Sequence, residues 1–283
     1  MSYSAPTSLA AALDALAAGD VRILAGGTDF YPALRDRPVT FPVLDVGRIE
    51  GLRGITRTES GGWRIGATTT WTDILRADLP PAFDGLKAAA REVGSVQIQN
   101  TGTVIGNLCN ASPAADGVPP LLTLNASVEL ASVAGFRVLP LAGFITGVRK
   151  TACRPDELVT AILIPGQPAA ARSAFLKLGS RAYLVISIAM VAVVIVPDDG
   201  GRIAEARVAV GACSPVARRL PALEQALLGQ PVATAAAAVA PPLLSPLAPI
   251  DDIRGTADYR RHAAAVLLRR ALAAAAPVAE LAA

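Results

Sequence analysis

Apolar positions in this chain fall into two textures. Ahead of Gly166 they come in short runs broken by glycine and small polar residues; beyond Ala171 they lengthen into near-continuous stretches. Residues 8–18 (SLAAALDALAA) predict a helix, with Thr7 or Ser8 as the N-terminal cap and Gly19 as the stop. Residues 21–25 then predict a short buried strand that runs into Gly26, Gly27, Thr28 and Asp29, followed by a helical turn over 30–35. A strand, a double glycine and a helix start together can aim consecutive backbone N–H groups at an anion, while the double glycine by itself reads as readily as a tight turn with no ligand. Short strands are predicted at 43–46, 52–55 and 63–67, with a turn at 58–62. Thr68, Thr69 and Thr70 lead into a helix over 71–77, where they can cap it, line a pocket, or do both. A second helix over 79–92, a hairpin from 128–131 and 136–140, and a strand over 158–164 complete this half.

The polar, Pro/Ala-rich segment 166–171 (GQPAAA) is the best boundary. After it, strands are predicted at 173–178, 186–196 and 203–212 and helices at 215–228 and 257–276. These form a three-stranded antiparallel sheet with helices on one face, a small C-terminal α+β domain of residues 171–283 behind a larger domain of 1–170. The most apolar run, 182–196, is shorter than the roughly 20 residues a membrane-spanning helix needs. The uncharged stretch 225–250 is broken by prolines. No membrane span is predicted.

One stretch departs from both textures. Residues 93–122 (VGSVQIQNTGTVIGNLCNASPAADGVPPLL) are nearly free of charge and rich in small polar residues, which predicts a loop-rich segment wrapped around a polar ligand. Gly102 and Gly106 can bring bare backbone close to it, while Thr103, Asn107, Asn110 and Ser112 add neutral donors. That is the composition of an oxyanion or phosphate cradle.

Overall composition narrows the ligand. The chain is 52% hydrophobic and 17% charged over 283 residues, enough for a sizeable core. A net charge of +3 and 4% aromatics argue against a nucleic-acid surface. Cys109, Cys153 and Cys213 are widely spaced, like the reduced thiols of a cytoplasmic protein, and the lone His262 reads as a helix-surface residue, so neither a metal site nor a catalytic triad is predicted. The N-terminus has no secretory pattern. Without a complete GxGxxG fingerprint, a nicotinamide-dependent dehydrogenase is the weaker alternative.

The segments LAGGTDF (24–30), RIGATTTWTDI (64–74), NTGTVIGNLCNASPAAD (100–116), RKTACRPDELVTAILIP (149–165) and FLKLGSR (175–181) occur in the order seen in the FAD-binding medium subunits of molybdenum hydroxylases. The chain resembles the medium subunit of carbon monoxide dehydrogenase and the FAD part of xanthine dehydrogenase.

The resemblance implies a vanillyl-alcohol-oxidase-like fold, with FAD between two N-terminal subdomains of about 1–56 and 57–170. It places Ile23, Leu24, Ala25, Gly26, Gly27, Thr28 and Asp29 at the pyrophosphate turn. Thr103, Gly106, Asn107, Asn110 and Ser112 fall on flavin-contact positions, Val159 on a cofactor-binding position, Asp116 on the carboxylate that holds a ribose-type hydroxyl, and Lys177 on a lysine near the flavin. Tyr183 and Ile186 are weaker candidates for lining the ring pocket, with packing in the core as the favoured reading of both. Where the family commonly has a glycine, this chain has Ile105, which predicts either ordinary backbone with the side chain turned away from the flavin, the favoured reading, or altered FAD binding. The implied activity is electron transfer from two [2Fe-2S] clusters on a small partner subunit, through FAD, to NAD or another acceptor. Substrate oxidation would occur on a molybdopterin-binding large subunit, in a dimer of heterotrimers. An FAD-less scaffold of the same fold is the other alternative.

Overall fold

The computed structural model describes residues 2–276; Met1 and 277–283, the end of the expected C-terminal domain, lie outside the described residues. By internal contacts the chain divides into two units. The first takes the residues up to Ala77, Val93–Ser112 and Asn125–Gly166; the second takes Asp78–Glu92, Pro113–Leu124 and the chain from Gln167 onward.

In the first unit a three-stranded parallel sheet is ordered Tyr3–Ser4, Val43–Asp45, Arg22–Leu24. The helix Leu9–Ala17 connects the outer two strands in sequence, and Ser8 Oγ accepts from Ala11 N at its start. A five-stranded antiparallel sheet is ordered Ile55–Arg57, Trp63–Gly66, Leu158–Ile164, Ser127–Ser132, Gly135–Pro140. Its central strand 158–164 is almost wholly buried, as its apolar sequence, interrupted only by Thr160, leads one to expect. The predicted hairpin is its outer edge, and the strand expected at 52–55 forms instead at Ile55–Arg57.

The stretch 93–122 is helical where loops were expected. Val96–Thr101 and Val104–Asn110 belong to the first unit and Val118–Thr123 to the second. Small polar residues that looked like loop formers are helix caps: Ser95 Oγ accepts from Ile98 N, and Thr103 Oγ1 from Gly106 N.

The second unit is built on an antiparallel sheet of four strands, Arg172–Leu178, Ala189–Pro197, Ile203–Gly211 and Arg218–Arg219. The expectation of three strands missed the last, which is only two residues long. Helices cover both faces rather than one. Ala189, Val191, Val193 and Ile195 pack in one core with Ala264, Leu268 and Leu272 of the helix Ala257–Ala275, while Met190 and Ala192 pack with Ala89 of the helix Asp84–Glu92. Every residue from Ala189 to Ile195 is at most 1% exposed. A strand buried on both sides has no reason to alternate, which is why its sequence reads as one apolar run. The helix expected at 215–228 is confined to Pro221–Leu227. No helix among the described residues is long and apolar enough to cross a membrane.

Candidate cofactor site

Both glycine-rich turns meet within the first unit. Leu24 ends its strand with its side chain in the core, 5% exposed, and its carbonyl accepts from Val46 N at 2.9 Å. The chain then turns through Gly26 and Gly27, where Gly27 takes a left-handed φ of +74°. Gly26 presses on the second turn so closely that a Cβ there would lie 1.8 Å from the carbonyl oxygen of Thr101. A Cβ on Gly102 would stand 2.8 Å from Ile98 O and 3.3 Å from Thr28 Oγ1. Only glycine permits such an approach of backbone to backbone.

The threonine triplet fixes the second turn from behind. Val104 N donates to Thr69 O at 3.0 Å and Trp71 N to Gly102 O at 3.2 Å. Thr69 Oγ1 donates to Gly54 O and accepts from Gly54 N, both at 3.0 Å. Thr70 caps the helix Trp71–Arg76, with Asp73 completing a capping box. The triplet therefore caps and braces; no member of it lines the cavity.

In front of these turns is a cavity of about 640 Å³, within the range of small-molecule and cofactor sites. Its wall includes Ile23, Ala25, Gly26, Gly27, Thr28 and Asp29 from the first turn. Thr103, Gly106, Asn107 and Asn110 come from the cap and one face of the 104–110 helix, and Val159 from the central strand. Among the described residues no lysine or arginine lines it, and Asp29 is the only charged one that does. Among the described residues no acceptor takes the backbone N–H groups of Gly26, Gly27 or Thr28, all half-buried. Amides left over beside a cavity fit a ligand that brings its own acceptors, as a pyrophosphate does. The residues present fit FAD.

Four of the expected site residues are not in the cavity wall. Leu24 points into the core because strand alternation sends Ile23 outward, 40% exposed, and Leu24 inward. Ser112 is not among the lining residues. Asp116 and Lys177 belong to the second unit, where Lys177 Nζ donates to Asp116 Oδ2 and Ser187 Oγ to Asp116 Oδ1, each at 2.6 Å. Burial raises the Asp116 carboxyl above the ordinary range, with Lys177 and Ser187 pulling the other way. Tyr183 and Ile186 are exposed in the same unit, so neither packs in a core as favoured from the sequence. Ile105 has the ordinary helical backbone expected of it, yet it forms part of the cavity wall.

Sequence reasoning missed two wall residues that carry chemistry. Cys109 is open to the cavity yet enclosed by protein, and this burial, with Cys153 adding to it, pushes its thiol up to about 12. Burial and then Glu157 push Cys153 up to about 11, and its Sγ donates to Glu157 O at 3.4 Å. Helical spacing could have revealed Cys109, three residues after Gly106; Cys153 follows a two-stranded hairpin and has no such signal.

Comparison with known proteins agrees with this geometry. The family described as "FAD binding domain in molybdopterin dehydrogenase" matches residues 1–167, and "CO dehydrogenase flavoprotein C-terminal domain" matches residues 174–275. The chain is 32% identical over 266 residues to the xanthine dehydrogenase FAD-binding subunit of Escherichia coli O157:H7, covering 92% of this chain and 91% of that one. It is 32% identical over 277 residues to the nicotine 6-hydroxylase medium subunit of Paenarthrobacter nicotinovorans, covering 95% of each. A solved structure of carbon monoxide dehydrogenase from Hydrogenophaga pseudoflava, in a form lacking the Mo-pyranopterin moiety of the molybdenum cofactor, is similar with a TM-score of 0.87 and 31% identity. It covers 97% of this chain and 96% of that chain. Likeness of this extent, over both units, leaves one conclusion: the chain belongs to the FAD-binding medium subunits of the molybdenum hydroxylases, a family of oxidoreductases.

Proposed function

We propose that this chain is the electron-transfer subunit of a multi-subunit molybdenum hydroxylase, taking electrons from iron-sulfur clusters on a partner and passing them to NAD or another acceptor. The observation that carries the reading is the cavity walled by both glycine-rich turns, free of lysine and arginine and edged by unclaimed amides. Backbone N–H groups of residues 25–28 would hold the pyrophosphate, and Thr103, Asn107 and Asn110 would supply neutral donors to the rest of the cofactor. Many neutral donors suit two phosphates in an enclosed site, since none carries the desolvation cost of a buried cation. FAD, when bound, supplies the ability to accept electrons singly and release them in pairs.

In the second unit Asp116 and Lys177, the residues that the family resemblance assigns to a ribose hydroxyl and to the flavin, hold each other. Their mutual bond means that the lysine's position depends on the aspartate. Three separated cysteines cannot supply the thiolates of two [2Fe-2S] clusters, so those belong to a small partner subunit and the molybdopterin to a large one, in a dimer of heterotrimers in the cytoplasm. Purification from the native host tests both levels. A yellow chain with one FAD per polypeptide, accompanied by one iron-sulfur and one molybdenum-containing partner, is the expected result. A colourless chain that stays empty with added FAD overturns the cofactor assignment; an FAD-loaded chain that recruits neither partner overturns the assembly.

A further inference from the structure

The 104–110 helix ends on Asn110, which lines the cavity, and Ala111, whose φ of +45° and ψ of +41° turn the chain left-handed. Against this end packs the turn of the hairpin formed by Ile145–Gly147 and Lys150–Thr151. Arg149, in that turn, is also left-handed, with φ +58°, and its backbone N–H donates to Ala111 O at 2.9 Å. Two adjoining non-glycine residues in this conformation persist only where the surroundings hold them. The Arg149 guanidinium completes the contact, Nη1 donating to the Asn110 carbonyl oxygen at 3.2 Å and to Asn110 Oδ1.

A guanidinium has donors and no acceptor, so only the oxygen end of the Asn110 carboxamide can face it. The NH2 end is left over, and no acceptor among the described residues takes it. We propose that Arg149 is a positioning residue for the cofactor, fixing the Asn110 carboxamide so that both its N–H bonds remain available to the cavity. A charge-assisted bond to Oδ1 also polarises the amide, which strengthens the donors at its other end. Positive charge thereby reaches a cavity whose own wall contains no cation, while the guanidinium itself stays outside the wall.

This inference rests on the reading of the cavity as the FAD site, and the test separates the two. FAD dissociation constants of the full chain, stripped of cofactor and titrated while flavin fluorescence is followed, are compared for wild type, Arg149→Met, Arg149→Lys, Asn110→Ala and the Arg149→Met/Asn110→Ala double variant. Arg149→Met should weaken binding about tenfold, on the scale of one charged hydrogen bond. Arg149→Lys should recover most of that loss, and the double variant should bind no more weakly than Asn110→Ala alone. Asn110→Asp keeps the link to Arg149 but removes the NH2 donors, so it should melt no earlier than wild type yet bind FAD as poorly as Asn110→Ala. An unchanged dissociation constant in Arg149→Met, an equal loss in the Asn110→Ala background, or normal FAD binding by Asn110→Asp would overturn the proposal alone. A wild-type chain that takes up no FAD would overturn the functional reading and this inference with it.

Discussion

Gly26 is where a single methyl group would do most harm. With Thr101 O 1.8 Å from the position of its Cβ, Gly26→Ala must push two backbone segments apart. We expect a loss of about 1–3 kcal/mol of stability, as for other overpacked sites, together with loss of FAD; thermal unfolding and the flavin content of the purified variant check both. The thiols give a second prediction. Burial holds Cys109 at about 12 and Cys153 at about 11, so at neutral pH both are protonated and unreactive. Alkylation of the FAD-free chain should therefore be slow at pH 7 and rise steadily with pH up to about 11, and bound FAD should shield Cys109. A plateau near pH 9 in labelling followed by mass spectrometry would contradict this. At this scale the sequence was legible in its residue types and less so in their arrangement. Thr103, Gly106, Asn107 and Asn110 stand at i, i+3, i+4 and i+7, the period of one helix face, but glycine and asparagine argue for a loop by propensity. Arg149 could not be found at all, because it acts across 39 residues of sequence through a carboxamide.

Among the elements, the 104–110 helix depends on its first residue. Thr103 Oγ1 accepts from Gly106 N at 2.9 Å, and the helix is too short to be stable alone. Thr103→Ala should cost about 1 kcal/mol and weaken FAD binding, whereas Thr103→Ser should restore both; denaturant titration and FAD affinity separate the two effects. In the second unit the long C-terminal helix is tied to the sheet by Arg260. This side chain is 1% exposed and donates to Ile188 O, Ala212 O and Asp252 Oδ1. Hydrogen bonds from Arg254, reinforced by Arg260, hold the Asp252 carboxyl well below the usual carboxylate range. A depressed carboxyl contributes its full stability above the ordinary aspartate pKa of about 4 and loses it as pH falls toward the folded value. Asp252→Asn should then flatten the acid limb of the pH–stability curve and cost about 2 kcal/mol at pH 7, less than a fully buried pair because Asp252 is partly open to solvent. An unchanged acid limb would contradict the assignment. Element existence was legible where the pattern was strong, as in the periodic helix at 9–17 and the apolar run of the central strand of the second sheet. The strand Arg218–Arg219 was not, since two residues carry no period, and neither was the helical path of 93–122, whose caps imitate loop composition.

On the scale of the whole molecule, family membership was legible because five separated segments kept their order, which no single glycine-rich turn could have established. What the sequence hid is the partnership of 78–92 and 113–124 with the sheet that begins at Arg172. Each is a short segment with an apolar face; the pattern announces burial but not the surface that provides it. Leu86, Ala89 and Ala90 are wholly buried, as is Leu121.

That division has a consequence for how the polypeptide is made. The helices at 84–92 and 118–123 leave the ribosome well before the strands 189–197 and 203–211 that cover them, and at roughly 5–20 residues per second their apolar faces wait several seconds for cover. A truncated chain ending at residue 167 would keep both helices and never receive that sheet. It should accumulate as aggregate or bound to chaperones; a fragment that stays monomeric and unfolds cooperatively would show that the two helices do not need it. Maturation of the flavin subunit is thus tied to its own last two-fifths, and a premature stop there would leave a sticky product rather than a working half.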